Sequence, residues 1–370
     1  MPYSRHTVLG IMSGSSLDGI DLAVCTFALD PAAADTIGEW TVDAANTVPY
    51  PDEWRERLAA STLLAAEPLY RLDAELGRWV GNEAASFVGR LVGPAPVLAG
   101  YHGHTVFHEP AAGYTLQLGE GAALSRALGL PVVTDLRSAD IAAGGQGAPL
   151  APVADHHLFR QYDGFLNLGG IVNFSIRRPD RTFLAGDLSG CCQIMDRLAR
   201  LRGQAYDRDG RLARSGNPVT DLRRSIAALP FHQQPYPKSL SNQWVVNELW
   251  PVIRDHPATV EDKLRTFVDF IVETIYDALY PHRPAGAAAS PLPVLVTGGG
   301  AHNRFLLESL QAFHREDQAF DFQAPDGIVD FKEAALVALC ALLRYHGLPN
   351  SLASATGAVS DTVNGALYAG

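Results

Sequence analysis

Residues 7–29 read TVLGIMSGSSLDGIDLAVCTFAL. Two β-prone apolar runs, 7–12 and 20–29, flank Ser13-Gly14-Ser15-Ser16-Leu17-Asp18-Gly19, a polar stretch too rich in small residues to continue a strand. The reading is strand, tight loop, strand, and a third strand is expected over about 40–48. Residues 67–92 then change period. Leu69, Leu72, Leu76, Trp79, Val80, Phe87 and Leu91 fall at helical spacings, which predicts an amphipathic helix ended by Pro94 and Pro96. A short buried strand over 97–101 carries His102-Gly103-His104 at its carboxyl end. A helix over 121–128 and a strand over 131–135 continue the alternation, so the architecture is α/β.

The middle of the chain repeats this opening. A strand over 165–168 meets Gly169-Gly170, a second strand covers 171–176, and a third covers 181–185 and ends at Gly186-Asp187. A helix follows over about 192–201. Both halves thus begin with the same unit, which predicts a duplicated α/β domain with the active site between the copies. A third glycine turn, Gly298-Gly299-Gly300, follows a strand over 294–297, and Asn303 opens a helix through 310. A glycine turn from a strand into a helix suits a phosphate or a nucleotide. The last helix is expected over 331–345. Segments 230–241 and 281–293 read as connecting loops, the second as the more flexible. The division expected is 1–137 plus 346–370 for the first domain and 138–345 for the second.

The chain has 370 residues, which suits two domains of about 150–200 residues. Hydrophobic residues are 47% and charged residues 19%, which excludes wholesale disorder. Lys and Arg number 29 against 40 Asp and Glu, a net charge of −11, which argues against a general nucleic-acid binder. No apolar run approaches the roughly 18 residues of a membrane span, and the start lacks the pattern of a secretory leader. The four cysteines, Cys25, Cys191, Cys192 and Cys340, show no metal-site spacing and read as reduced and intracellular.

Ser13 to Asp21 carries the sharpest chemical signal. Small residues let backbone N–H groups approach an anion and the hydroxyls add donors; Asp18 could orient a metal-bound water or simply cap a hairpin turn. The loop is neither a Walker A motif nor G-x-G-x-x-G. His102, His104 and His108 read as substrate hydrogen bonding or loop packing in preference to a zinc site. Asp187 could be a general base at a strand end or the N-cap of the next helix. The segment 135–149, with Gly144-Gly145-Gln146-Gly147, reads as a substrate-lining or hinge segment or as a long surface loop. Glu333 falls in the first turn of the last helix, where an acid favours the helix dipole. Cys191-Cys192 reads as helix-start packing ahead of a redox pair.

Gly10-Ile11-Met12-Ser13-Gly14-Ser15-Ser16-Leu17-Asp18-Gly19-Ile20-Asp21 resembles the signature G-x-M-S-G-T-S-x-D-G-x-D of the anhydro-N-acetylmuramic acid kinases. The similarity continues through His102-Gly103-His104-Thr105, Thr115-Leu116-Gln117-Leu118-Gly119-Glu120, the 135–149 segment, Asn167-Leu168-Gly169-Gly170-Ile171-Val172-Asn173, Pro237-Lys238-Ser239, Gly298-Gly299-Gly300 with Asn303, and Glu333-Ala334. The resemblance implies the actin-like fold: two ribonuclease-H-like α/β domains around a cleft that substrate closes. It implies an ATP-dependent kinase that phosphorylates O6 of 1,6-anhydro-N-acetylmuramic acid while water opens the anhydro bridge at C1. The products are N-acetylmuramic acid 6-phosphate and ADP, in cytoplasmic recycling of cell-wall sugars.

Carried over by residue, the resemblance makes Asp187 the base that activates water. Ser13, Gly14, Ser15, Ser16, Leu17, Asp18, Gly19 and Asp21 form the first phosphate loop. Gly169, Gly170 and Asn173 form the second. Gly298, Gly299, Gly300 and Asn303 form the adenosine-side turn. His104, Gln117, Arg137 and Glu333 are expected near the sugar. Mg²⁺ accompanies the ATP phosphates with Asp18 as its partner, and a homodimer is implied. Three departures stand out. The family's Asp-Thr-Gly-Pro-Gly-Asn is here Asp187-Leu188-Ser189-Gly190-Cys191-Cys192, Glu120 replaces an aspartate, and Ser15 replaces a threonine. The first leaves open a kinase for a related sugar, or a silent nucleotide and sugar sensor.

Overall fold

The structure is a computed structural model that describes residues 4–14, 17–30, 37–180, 182–236, 238–283, 290–313, 319–325 and 328–370. Ser15, Ser16, Arg181, Pro237 and residues 284–289 of the loop expected to be flexible lie outside the described residues. The chain divides into two units, Met1–Phe159 with Phe331–Gly370, and Arg160–Asp330.

In the first unit, β1 (Ser4–Ser13), β2 (Gly19–Leu29) and β3 (Ile37–Pro49) form an antiparallel meander. Chain reversal between β1 and β2 pairs Ser13 with Ile20, so the polar stretch is the hairpin tip. β4 (Leu98–His102) returns parallel to β1, and β7 (Val132–Thr134) runs parallel to β4. Among the described residues β5 (His104–Glu109) and β6 (Tyr114–Leu118) pair with each other alone. β13 (Ala366–Tyr368) closes the edge, giving the order β13-β7-β4-β1-β2-β3. The crossover to β4 is the helix Ala66–Val88, whose Leu72, Leu76, Val80 and Ala84 bury one stripe with Leu9, Ile11, Ile20 and Leu22 of the sheet.

The other face takes the helix Ile328–Tyr345. A Cβ on Gly10 of β1 would lie 1.8 Å from the Ala334 carbonyl oxygen, and one on Gly100 of β4 would lie 2.4 Å from that of Val337. Only glycine permits so close an approach. This packing makes the helix part of the first unit from Phe331 onward, where the sequence reading placed 138–345 in the second domain. The other boundary also moves, from 137 to Phe159, because 138–159 is tied to the first unit. The buried Asp140 carboxylate accepts from Ser351 Oγ and Thr356 Oγ1, each at 2.8 Å, and Trp40 Nε1 donates to the Leu158 carbonyl at 3.0 Å.

In the second unit, β8 (Gly164–Leu168), β9 (Ile171–Arg177) and β10 (Phe183–Gly190) form the same meander. β11 (Leu292–Thr297) returns parallel to β8, and β12 (Phe320–Gln323) lies parallel to β11. The order β10-β9-β8-β11-β12 repeats the third-second-first-fourth-fifth order of the first sheet. That order, with only the second strand antiparallel to its neighbours in the core of the sheet, is the ribonuclease-H-like fold, present here twice as the repeated unit predicts. The helices Cys192–Arg200, Val260–Leu279 and Arg304–Ala312 bury Ile194, Leu198, Phe267, Ile271 and Leu306 against this sheet. Among the described residues no helix is long and apolar enough to cross a membrane.

Candidate active site

The β1–β2 tip is fastened from β3. Ser13 is buried and its hydroxyl shares a 2.8 Å hydrogen bond with the Tyr50 hydroxyl. Tyr50 N–H donates to the Asp18 carbonyl at 3.0 Å, and Thr47 Oγ1 donates to Asp21 Oδ1 at 2.6 Å. Burial pushes the Tyr50 phenol up to about 12, with the Ser13 bond opposing, so Tyr50 stays neutral. Leu17 sits at φ 60°, a left-handed conformation that a side chain adopts only when its surroundings hold it there. The Asp18 side chain is exposed and makes no hydrogen bond among the described residues, so it does not cap the turn. The tip therefore presents Gly14, Leu17 and Asp18 on a rigid base. Tyr50 carried no signal in the sequence; it supports the tip from outside the motif.

The Arg137 side chain is held by two hydrogen bonds. It donates from Nε to His102 Nε2 at 2.9 Å and from Nη1 to the Gly147 carbonyl at 2.8 Å. Desolvation lowers its guanidinium to about 10, the nearby Glu333 charge opposes this, and it remains a cation at neutral pH. Glu333 is accessible to solvent yet has protein packed closely around its carboxyl. This loss of water pushes its proton affinity up; Lys332 and Arg137 pull it down and Asp21 adds to the rise. Asp21, Arg137 and Glu333 therefore share one electrostatic neighbourhood.

The remaining sugar-side candidates lie on the β5–β6 hairpin. Gln117 Nε2 donates to Thr115 Oγ1 at 2.7 Å, and Thr115 shares a 3.1 Å hydrogen bond with His108 Nδ1. His108 in turn feels the Arg137 charge, so Gln117 connects to Arg137 through two side chains. His104 is buried, and desolvation lowers the proton affinity of its imidazole. His102 is committed to Arg137, which removes its Nε2 from any metal. The 135–149 segment is a pinned loop: Asp140 Oδ2 also accepts from Gly147 N–H at 2.7 Å, which holds the carbonyl that Arg137 uses.

In the second unit Asp187 lies inside β10, which continues to Gly190 across a bulge between Asp187 and Ser189. The sequence reading ended the strand at Asp187; the bulge lets pairing resume. Asp187 is not the cap of the following helix. Its Oδ2 accepts from Leu240 N–H at 2.7 Å and from Ser239 Oγ at 3.3 Å, and no hydrogen bond is made to Oδ1 among the described residues. Desolvation raises its proton affinity above the usual carboxylate value, and the Leu240 and Ser239 bonds oppose the rise. A partly desolvated carboxylate with one oxygen fixed and the other uncommitted can take a proton from water.

The strand register carries Asp187 into a polar row. Thr297, Asn167, Asn173 and Asp187 are consecutive cross-strand partners on β11, β8, β9 and β10, so their side chains share one face. Asn167 belongs to this row although only Asn173 was singled out from the motif. The glycine turns border it. Gly298 has φ 83° and its missing Cβ would lie 2.4 Å from Asn167 Oδ1, so packing requires this glycine. Gly170 and Gly299 differ. A Cβ on Gly170 would approach only Gln193, at 3.7 Å, and one on Gly299 would meet nothing within 4 Å. Protein packing does not ask for glycine there; the vacant volume fits a ligand lying against the backbone, as a nucleotide phosphate does. Asn303 is the N-cap of the helix Arg304–Ala312, its Oδ1 accepting from Leu306 N–H at 3.1 Å.

A doubled ribonuclease-H-like fold, with glycine turns beside a row of polar side chains, places the protein in the actin-like class of α/β folds. The family model described as anhydro-N-acetylmuramic acid kinase matches residues 6–370, and the chain belongs to that family. It is 36% identical to the anhydro-N-acetylmuramic acid kinase of Nitrosospira multiformis over 97% of this chain and 98% of that relative. The enzyme of the same name from Streptomyces coelicolor is 33% identical, with 98% and 94% covered. That from Aliivibrio fischeri is 32% identical, with 97% and 98% covered.

The departure at 188–192 lies largely in the core of the second unit. Leu188, Ser189 and Cys191 are buried, and Ser189 Oγ shares a 3.1 Å hydrogen bond with His232 Nε2. Cys192 Sγ donates to the Leu168 carbonyl at 3.2 Å, beneath the glycine turns. The changed residues repack the core, while Asp187 keeps its place.

Proposed function

We propose that this protein uses ATP to phosphorylate O6 of 1,6-anhydro-N-acetylmuramic acid as water opens the anhydro bridge, in recycling of cell-wall sugars. The observation that carries the reading is the held carboxylate of Asp187 in a chain that matches the kinase family over residues 6–370. Asp187 Oδ1 accepts a proton from water as that water's oxygen bonds to C1. The C1–O6 bond breaks, and O6 keeps the electron pair and bonds to the γ-phosphorus of ATP, releasing ADP. Arg137 and Glu333 orient the sugar, with Gln117 and His104 on the flanking hairpin. A guanidinium close to a carboxyl suits a sugar that carries both a carboxylate and hydroxyls.

The phosphates fit the vacant volume at Gly170 and Gly299, with Ser13, Gly14, Ser15, Ser16, Leu17, Asp18, Gly19 and Asp21 at the other phosphate loop. When bound, Mg²⁺ neutralises phosphate charge; Asp18, exposed on its rigid tip, would hold it, in large part through water. Gly169, Gly298 and Gly300 shape the turns, Asn173 lies beside Asp187, and Asn303 fixes the helix behind the adenosine-side turn. A cytoplasmic homodimer accompanies this reading. The burial of Leu188, Ser189 and Cys191 supports the anhydro sugar over a related one, since these side chains do not reach a substrate. Incubation with Mg-ATP and the anhydro sugar is expected to yield equal amounts of ADP and N-acetylmuramic acid 6-phosphate. ADP without phosphorylated sugar, or no turnover, contradicts the reading.

A further inference from the structure

Asp187 owes its position to a neighbouring segment. The Asp187 N–H donates to the Lys238 carbonyl at 2.9 Å, while Leu240 N–H and Ser239 Oγ donate to Oδ2 at 2.7 and 3.3 Å. Three consecutive residues thus hold one carboxylate and its backbone. They can lie flat on β10 because residue 186 is glycine, whose Cβ would come within 2.9 Å of the Tyr236 ring. Segment 238–240 has no regular secondary structure, so something must hold it in turn.

The Lys238 ammonium does so. It donates to the Phe231 carbonyl at 3.1 Å and to the His232 carbonyl at 3.4 Å. It lies 4.7 Å from the Phe231 ring centroid and 4.8 Å from that of Tyr236. The two carbonyls belong to the 3₁₀ turn Pro230–Gln233, which is itself fixed: Phe231 is buried, and His232 bonds the Ile226 carbonyl at 2.8 Å and Ser189 Oγ at 3.1 Å. Ser189 follows Asp187 across the bulge. The contacts form a closed circuit from Asp187 through 238–240, the Lys238 ammonium, the 231–232 carbonyls and Ser189 back to β10.

We propose that Lys238 is a positioning residue whose ammonium, by tying 238–240 to the turn Pro230–Gln233, aims the uncommitted oxygen of Asp187. The role rests on Asp187 being the base of the reaction. It is geometric: burial and the Leu240 and Ser239 hydrogen bonds set the proton affinity of Asp187, while the Lys238 charge is spent on two carbonyls and two rings. Loss of the ammonium frees both carbonyls and loosens the segment, and a displacement of about 1 Å in a reacting group lowers turnover by about 100-fold.

The test compares Lys238→Met, Lys238→Arg and Asp187→Asn with the unaltered protein, reading kcat, the KM of sugar and ATP, and thermal unfolding. Lys238→Met is expected to lower kcat by about 10- to 100-fold, with both KM values within about threefold. Lys238→Arg is expected to recover most of the loss, because a guanidinium also donates to paired carbonyls and stacks on aromatic rings. If Lys238→Met does not fold, Tyr236→Leu removes one wall of the ammonium's site and is expected to lower kcat in the same selective way. Unchanged kcat in the folded variant, a rise in KM alone, or no recovery by arginine overturns the inference. Asp187→Asn separates the two levels. If it is inactive while Lys238→Met is normal, only the role of Lys238 falls; if it turns over normally, the assignment of Asp187 falls.

Discussion

Arg137 donates from Nε to Nε2 of His102 across 2.9 Å, which fixes His102 as the neutral tautomer protonated at Nδ1. A guanidinium has no acceptor, so a proton on His102 Nε2 would break the contact and place two cations together. Burial, reinforced by the Arg137 charge, lowers the His102 imidazole from 6.5 to about 3.

This pair makes stability depend on pH in a defined direction. The folded-state value is depressed, so the contribution of neutral His102 is complete above its ordinary value of 6.5 and is lost as pH falls toward about 3. Each pH unit in that window costs up to about 1.4 kcal/mol for one such group. Urea unfolding at pH 7, 6 and 5 is expected to show His102→Gln losing less stability on acidification than the unaltered protein. Equal pH dependence in the two contradicts the assignment.

Asp187 should govern the acid limb of the activity profile. Desolvation raises its proton affinity, and the base works only when ionised, so kcat should rise with pH through a midpoint above the usual aspartate range. Asp187→Asn is expected to lower kcat by about 100- to 10,000-fold while nucleotide affinity, read by calorimetry, changes little. An acid limb that persists unchanged in residual Asp187→Asn activity assigns it to another group.

Glycines of two kinds should respond oppositely. Gly299→Ala meets no protein atom within 4 Å, so stability should stay within about 0.5 kcal/mol while the KM for ATP rises about tenfold. Gly10→Ala drives a methyl group to 1.8 Å from the Ala334 carbonyl and should cost about 3 kcal/mol or prevent folding. Thermal melts with ATP titrations check both.

Asp140 is expected to matter for stability. Its carboxylate is fully buried and accepts from Gly147 N–H, Ser351 Oγ and Thr356 Oγ1. Asp140→Ala removes the shared acceptor of three buried donors and should destabilise by about 3–5 kcal/mol. A denaturant midpoint close to that of the unaltered protein contradicts this.

Much of the fold was legible because its signals are local. The β1–β2 hairpin, the helix Ala66–Val88 and the turn at Gly298 each show in strand alternation, helical period or glycine content within a short window. The domain boundary was not, because it depends on the helix Ile328–Tyr345 lying against Gly10, more than 300 residues away in the chain. Site support was hidden for the same reason. Tyr50 behind Ser13, His102 behind Arg137 and Leu240 behind Asp187 act through contacts that no nearby spacing encodes. Glu333 could be named only by resemblance, since its nearness to Arg137 and Asp21 arises from the packing of the last helix.

The proposed reaction breaks the anhydro bridge with water and phosphorylates O6 in a single turnover. Its most direct test is turnover of 1,6-anhydro-N-acetylmuramic acid with Mg-ATP in ¹⁸O-water, quenched early and analysed by mass spectrometry. A 6-phosphorylated sugar with one ¹⁸O at C1 and none in the phosphoryl group is expected. A phosphorylated sugar without label at C1, or label only in released inorganic phosphate, contradicts it.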